Sequence, residues 1–193
     1  MNKVKKYIIP SLFVIAFILC LIFPIKKYST KSFERKDVYS FNLDSSKEIV
    51  QDFKADADYE YVGFTYANYE KIIKKGSLIV TLKSDEKEII SKSFKISSLL
   101  NNVTIYLNQK IEKGKDYQLV IKNSSNENVA VYLTKSTIDN ANLYYEGESV
   151  DDNAIVIFRN EKKSYKHLWY YFMALSIYLV IIVVNKGEKK NVQ

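Results

Sequence analysis

The sequence predicts an all-β antiparallel sandwich flanked by N- and C-terminal transmembrane helices. Three observations carry that prediction. Between residues 48 and 159, apolar and polar side chains alternate with period two in about nine short runs. Uncharged apolar runs stand at both ends of the 193-residue chain, Tyr7–Ile25 and Leu168–Val184. Glycine (5) and proline (2) are scarce, so short turns rather than long linkers must join the strands.

In chain order, the first apolar run follows Lys3, Lys5 and Lys6 and, as a helix, spans roughly 28 Å, about the thickness of a bilayer's hydrocarbon core. Pro10 falls in its first turn, where a missing N–H costs little. Phe23, Pro24 and Ile25 after the run suit a signal peptidase poorly, and Leu19 before Cys20 does not fit a lipoprotein signal. The run therefore reads as a retained anchor. Residues 26–46 are polar and read as a stalk. The strands expected next are Glu48–Phe53, Tyr59–Tyr66, Ser77–Leu82, Glu88–Ile96, Val103–Asn108, Asp116–Lys122, Asn128–Thr134, Asn142–Tyr145 and Ala154–Arg159. Ser97–Asn102 reads as a helical turn. The gap between the second and third strands, "ANYEKIIKKG", reads as a cross-over between sheets, with Gly76 supplying a positive φ. Trp169, Tyr170 and Tyr171 open the second apolar run, and Lys186, Lys189 and Lys190 follow it, as expected of a span with an aromatic belt. The expected domains are thus 1–25 (tail and first span), 26–46 (stalk), 47–160 (sandwich), 161–185 (juxtamembrane segment and second span) and 186–193 (tail). Short basic flanks put both termini in the cytoplasm and the sandwich outside.

Of the net charge of +7, the two tails hold +5, leaving +2 between Lys26 and Lys166. Such a balanced middle lacks the basic face that nucleic-acid binding needs. A single cysteine, Cys20, excludes an intramolecular disulfide and favours a Gram-positive bacterial surface over a disulfide-rich secreted ectodomain.

The stretch "IVQDFKADADYEYVGFTYANYEKIIKKGSLIVTL", followed by "EIISKSFKISSLLNNVTIYL" and "IEKGKDYQLVIK", carries an ordered set of punctuation residues. They are Gln51 and Phe53; Asn68, Gly76 and Leu78; Ile96, Leu99, Asn101 and Asn102; then Gly114, Lys115, Tyr117, Leu119 and Ile121. Over roughly residues 48–135 this resembles a jelly-roll module of bacterial membrane proteins of surface-polysaccharide assembly, including glycosyltransferase-like and YfhO-like proteins. The resemblance implies a sandwich like a carbohydrate-binding module, usually non-catalytic. The polytopic enzyme part of the larger relatives is missing from this chain.

The catalytic inventory points the same way. His167 is the only histidine, so no Ser–His or Cys–His nucleophile can be assembled, and the ligands of a zinc site are lacking. An enzyme is therefore not expected. Paired loop acids, Asp56 with Asp58 and Asp151 with Asp152, could contribute oxygens to a structural calcium. Tyr66 and Tyr69 flank a loop and are the expected sugar-stacking platform, since a tyrosine ring combines an apolar face with a polar tip; Tyr144 and Tyr145 form a second cluster. The expected partners are the lipid bilayer and either a cell-surface glycan or a membrane-protein partner. The expected function is a membrane-anchored extracellular binding module, accessory to cell-envelope polysaccharide assembly. The alternative is a protein-binding subunit or scaffold of a membrane complex.

Overall fold

The computed structural model describes residues 3–33, 36–67, 75–135, 140–154 and 156–190. They form two compact units, Ser29–Asn160 and a second that joins the chain up to Tyr28 with the chain from Glu161.

Within the first unit the strands are β1 (Ile25–Ser32, from Ser29 on), β2 (Tyr39–Leu43), β3 (Glu48–Lys54), β4 (Tyr61–Ala67), β5 (Ser77–Ser84), β6 (Lys87–Lys95), β7 (Val103–Leu107), β8 (Asp116–Asn123), β9 (Val129–Thr134), β10 (Ala141–Tyr145), β11 (Glu148–Val150), β12 (Asn153–Ala154) and β13 (Val156–Ser164, up to Asn160). Eight of the nine runs read from the sequence each coincide with one strand, and the ninth, Ala154–Arg159, falls across β12 and β13. A 3-10 turn at Ile96–Ser98 overlaps the start of the expected helical turn, Ser97–Asn102.

One sheet runs β11-β10-β3-β8-β5-β6, with every pairing antiparallel. In the other, β4 pairs with β7 along one edge; along its opposite edge it meets β13 at Tyr61–Phe64 and β9 at Tyr66 and Ala67. β9 in turn pairs with β2 along one edge and with β4 and then β12 along the other. Between Ala154 and Val156 the chain therefore changes partner from β9 to β4, filling the wedge where those strands diverge.

Alternation decides which side chains face inward. Ile49, Gln51 and Phe53 of β3 are buried, as are Leu78, Val80 and Leu82 of β5 and Tyr117, Leu119 and Ile121 of β8. Aromatic rings join at one end of the core: Phe53 stacks on Tyr117 at 5.7 Å, Phe158 meets Phe53 edge-on at 5.4 Å, and Tyr59 stacks on Phe158 at 4.4 Å. Each fully buried ring stabilises the fold by roughly 1.5–3 kcal/mol before ordering entropy is set against it. On edge strand β6, Lys92 sits opposite the buried Val80 and interrupts the apolar stripe of Ile90 and Phe94, which discourages pairing with another sheet.

Two sequence expectations require comment. The stalk over 26–46 is replaced by strands. In β2, Tyr39, Phe41 and Leu43 alternate with Ser40 and Asn42, and the strand is paired along its length to β9. Three inward apolar residues among polar ones read as a linker until a partner strand is known. The cross-over, in contrast, does link the sheets, since β4 lies in one and β5 in the other. Gly76 has φ 112°, and a Cβ there would lie 2.2 Å from the Ser125 Cβ. The tight hairpins are of the primed kind, with positive φ at both Asp85 and Glu86 and at both Glu146 and Gly147.

In the other unit, α1 (Lys3–Ile22) and α2 (His167–Lys190) cover most of the two apolar runs. They lie antiparallel through aromatic contacts: Phe13 stacks on Tyr178 at 5.1 Å and Phe17 meets Tyr171 at 5.4 Å. Among the described residues, no helix is long and apolar enough to cross a membrane.

Candidate functional site

Tyr66 is not an exposed platform. It faces inward on β4, is 0% exposed, and burial pushes its phenol up to about 12. Its strand residue parity matches that of Val62 and Phe64, both core residues, so any ring at this position enters the sandwich. Tyr69 lies outside the described residues.

Three of the four loop carboxylates are engaged, each with different partners. Asp56 pairs with Lys31 and accepts the Tyr59 hydroxyl at 2.7 Å. The Lys31 hydrogen bond, followed by that of Tyr59, holds its carboxyl below the usual range. Asp58 accepts the Lys113 amide at 2.7 Å, and Asp152 accepts the Tyr39 hydroxyl. Asp151 is exposed. Among the described residues, no three His, Cys, Asp or Glu side chains converge as a metal cradle. Protein donors occupy oxygens of Asp56, Asp58 and Asp152.

What the fold does assemble is the outward face of the six-stranded sheet. Cross-strand register places Asn142, Asp52, Gln118 and Lys83 in one row across β10, β3, β8 and β5. The next row on that face is Tyr144, Val50, Val120 and Thr81. Gln118 Nε2 donates to Asp52 Oδ1 at 3.0 Å, which fixes both side chains on the surface. A cavity of about 410 Å³ lies over the first row, bordered also by Asp116 and Tyr117. A second, of about 470 Å³, is bordered by Glu48, Val50 and Lys122. Between them, Val50, Val120 and the half-buried Tyr144 ring give the face an apolar centre. Amide donors and acceptors, carboxylate acceptors and a ring edge together suit a ligand with many hydroxyls and apolar C–H faces.

The sequence had marked Tyr144, but not Asp52, Gln118, Asn142 or Lys83. Their signal was only that each is a polar residue at an outward strand position. The row exists because β8 lies between β3 and β5, a pairing with no local signature.

The opposite sheet carries a different outward cluster. The Arg159 guanidinium lies 4.4 Å from the Tyr61 ring centroid and 4.2 Å from that of Tyr106. A Cβ at Gly63 would lie 2.8 Å from the Tyr106 ring and 2.2 Å from the Ile105 carbonyl oxygen, so only glycine admits that approach. This cluster is packed on itself.

No protein-family model matches the chain, and no curated protein matches it.

Proposed function

We propose that this protein is a non-catalytic binding module of jelly-roll type, held at a bacterial cell membrane by its two helices, which recognises a cell-surface glycan as an accessory to cell-envelope polysaccharide assembly. Both termini are cytoplasmic in this reading and the sandwich is extracytoplasmic. The observation that carries it is the polar row Asn142–Asp52–Gln118–Lys83 beside the Tyr144 ring. Membrane attachment is supported by the uncharged sequence runs and by apolar side chains that α1 and α2 leave exposed, Leu12, Ile15, Ile177 and Val180 among them. The jelly roll is supported by the two antiparallel sheets and by the positions of the residues that carry the resemblance. Leu78, Leu119 and Ile121 are core, and Gly76, Asn102 and Gly114 sit at positive φ.

A glycan array probed with the detergent-solubilised full chain tests the ligand. Asp52→Ala with Gln118→Ala, and separately Tyr144→Ala, are expected to weaken the bound glycan by about tenfold or more, the scale of one lost hydrogen-bonded charge or stacked ring. Unchanged binding in both variants would remove this face as the site. A second reading, a protein-binding subunit of a membrane complex, is favoured by Leu100, which is 76% exposed. It predicts no glycan binding at all, and loss of a co-purifying membrane protein in Leu100→Asp.

A further inference from the structure

We propose that the end of the helical unit formed by Phe23–Tyr28 and Lys162–Tyr170 binds anionic phospholipid headgroups. This rests on the membrane reading above and goes further, because it assigns a lipid charge preference to a defined surface.

Two contacts bring these segments together. His167 Nε2 lies 2.8 Å from the Cys20 carbonyl oxygen, tying the first turn of α2 to the last of α1. Below the helix ends, Lys26 and Glu161 form a salt bridge at 3.0 Å. Around this junction the aromatic side chains stay outside: Phe23 is 69% exposed, Trp169 69% and Tyr170 72%. Amphipathic rings at the end of an apolar helix favour the headgroup level of a bilayer.

The charge at the same place is one-sided. Lys26, Lys27, Lys162, Lys163 and Lys166 are all exposed, neither segment contains an acid, and Glu161 stands immediately before the second. Glu161 is taken by Lys26. Among the described residues, Lys27, Lys162, Lys163 and Lys166 form no salt bridge. In the sequence these lysines fall on opposite sides of the sandwich and look like unrelated flanks. The fold makes them one basic rim next to exposed rings and apolar helix surface. A soluble polyanion has use for the lysines but none for the rings; an anionic lipid surface satisfies both, through headgroup charge and acyl-chain contact.

Trp169 is the only tryptophan, so its fluorescence reports this position alone. The full chain is reconstituted into phosphatidylcholine vesicles containing phosphatidylglycerol, with brominated chains on one lipid or the other at equal mole fraction. Both brominated lipids are expected to quench Trp169. Brominated phosphatidylglycerol is expected to quench more, corresponding to a local enrichment of about threefold or greater. That excess is expected to collapse between about 0.1 M and 1 M salt, as the screening length falls from about 10 Å to about 3 Å. It should also vanish when Lys27, Lys162, Lys163 and Lys166 are replaced by Gln, with quenching by brominated phosphatidylcholine retained. Equal quenching by the two lipids in the unmodified chain at low salt overturns the inference and leaves the membrane reading standing. An excess that survives high salt or the four substitutions also overturns it. No quenching by either lipid overturns the membrane reading itself.

Discussion

At the scale of single residues, buried polar atoms separate the groups the fold has satisfied from those it has not. Asn123 is fully buried, and its amide donates to the carbonyls of Leu43, Asp44 and Glu127 while its oxygen accepts from Ser125. It holds the β8–β9 turn against the end of β2. Tyr66 is as deeply buried, yet its hydroxyl has no hydrogen-bond partner among the described residues. A desolvated hydroxyl without a partner costs about 1–3 kcal/mol, whereas a phenyl ring of the same shape costs nothing of the kind. Tyr66→Phe is therefore expected to stabilise the protein by about 1 kcal/mol, read as a higher urea midpoint with unchanged slope. A drop in that midpoint would show that the hydroxyl is bonded.

At the scale of elements, the shortest strand is held by a side chain from the opposite sheet. β12 is two residues long, and its pairing to β9 covers only Asn153 and Ala154. Gln51 of β3 reaches across the interior to it. Its Oε1 accepts the Ala154 amide at 2.6 Å, and its Nε2 donates to Asn153 Oδ1 at 2.9 Å and to the Asn142 carbonyl at 3.2 Å. One side chain thus ties β3 and β10 of one sheet to β12 of the other at the point where the chain changes partner. Gln51→Leu keeps the volume and removes every one of these bonds, leaving buried groups unsatisfied. The expected cost is about 2–3 kcal/mol. Amide exchange should speed at Ala154 and the start of β13 more than in β5 or β8; uniform loss of protection would mean that β12 has no separate anchor.

At the scale of the whole molecule, ionisation of tyrosines limits stability on the alkaline side. Burial, followed by hydrogen bonds to Asp152 and Asp56 respectively, raises the phenols of Tyr39 and Tyr59 above their ordinary value, and burial alone pushes Tyr66 up to about 12. In the unfolded chain these phenols ionise near 10. The neutral form is favoured on folding, so this contribution is complete below pH 10 and is lost as pH rises through the folded-state values. The urea midpoint of the detergent-solubilised chain is expected to stay level from pH 7 to about 9.5 and to fall steeply between about 10 and 12. A midpoint level to pH 12 would mean that these hydroxyls are as free to ionise as in the unfolded chain. On the acid side, the depressed carboxyl of Asp56 contributes above its unfolded value and loses that contribution as pH falls through the folded one. Its side chain is 54% exposed, so solvent screening keeps the acid limb shallow.

The class and most of the elements are legible in the local pattern of the chain. Period-two alternation is a local property of the pleated chain, so eight strands, the place of the 3-10 turn and the sheet-changing link with its positive-φ glycine could be read without coordinates, while the division of Ala154–Arg159 between β12 and β13 could not. The two helices were likewise legible as apolar runs. Tertiary structure decided what depends on pairing. β2 looked like a stalk because the alternation of Tyr39, Phe41 and Leu43 has meaning only against β9. Tyr66 looked like a platform because parity along one strand does not say which side is core. The row Asn142–Asp52–Gln118–Lys83 needs four strands from distant parts of the chain in one order, and the lysine rim needs two segments more than 130 residues apart brought side by side. Composition and spacing record what each strand is; which strands become neighbours is fixed by the shared burial of their inward faces, and that free energy belongs to no segment alone.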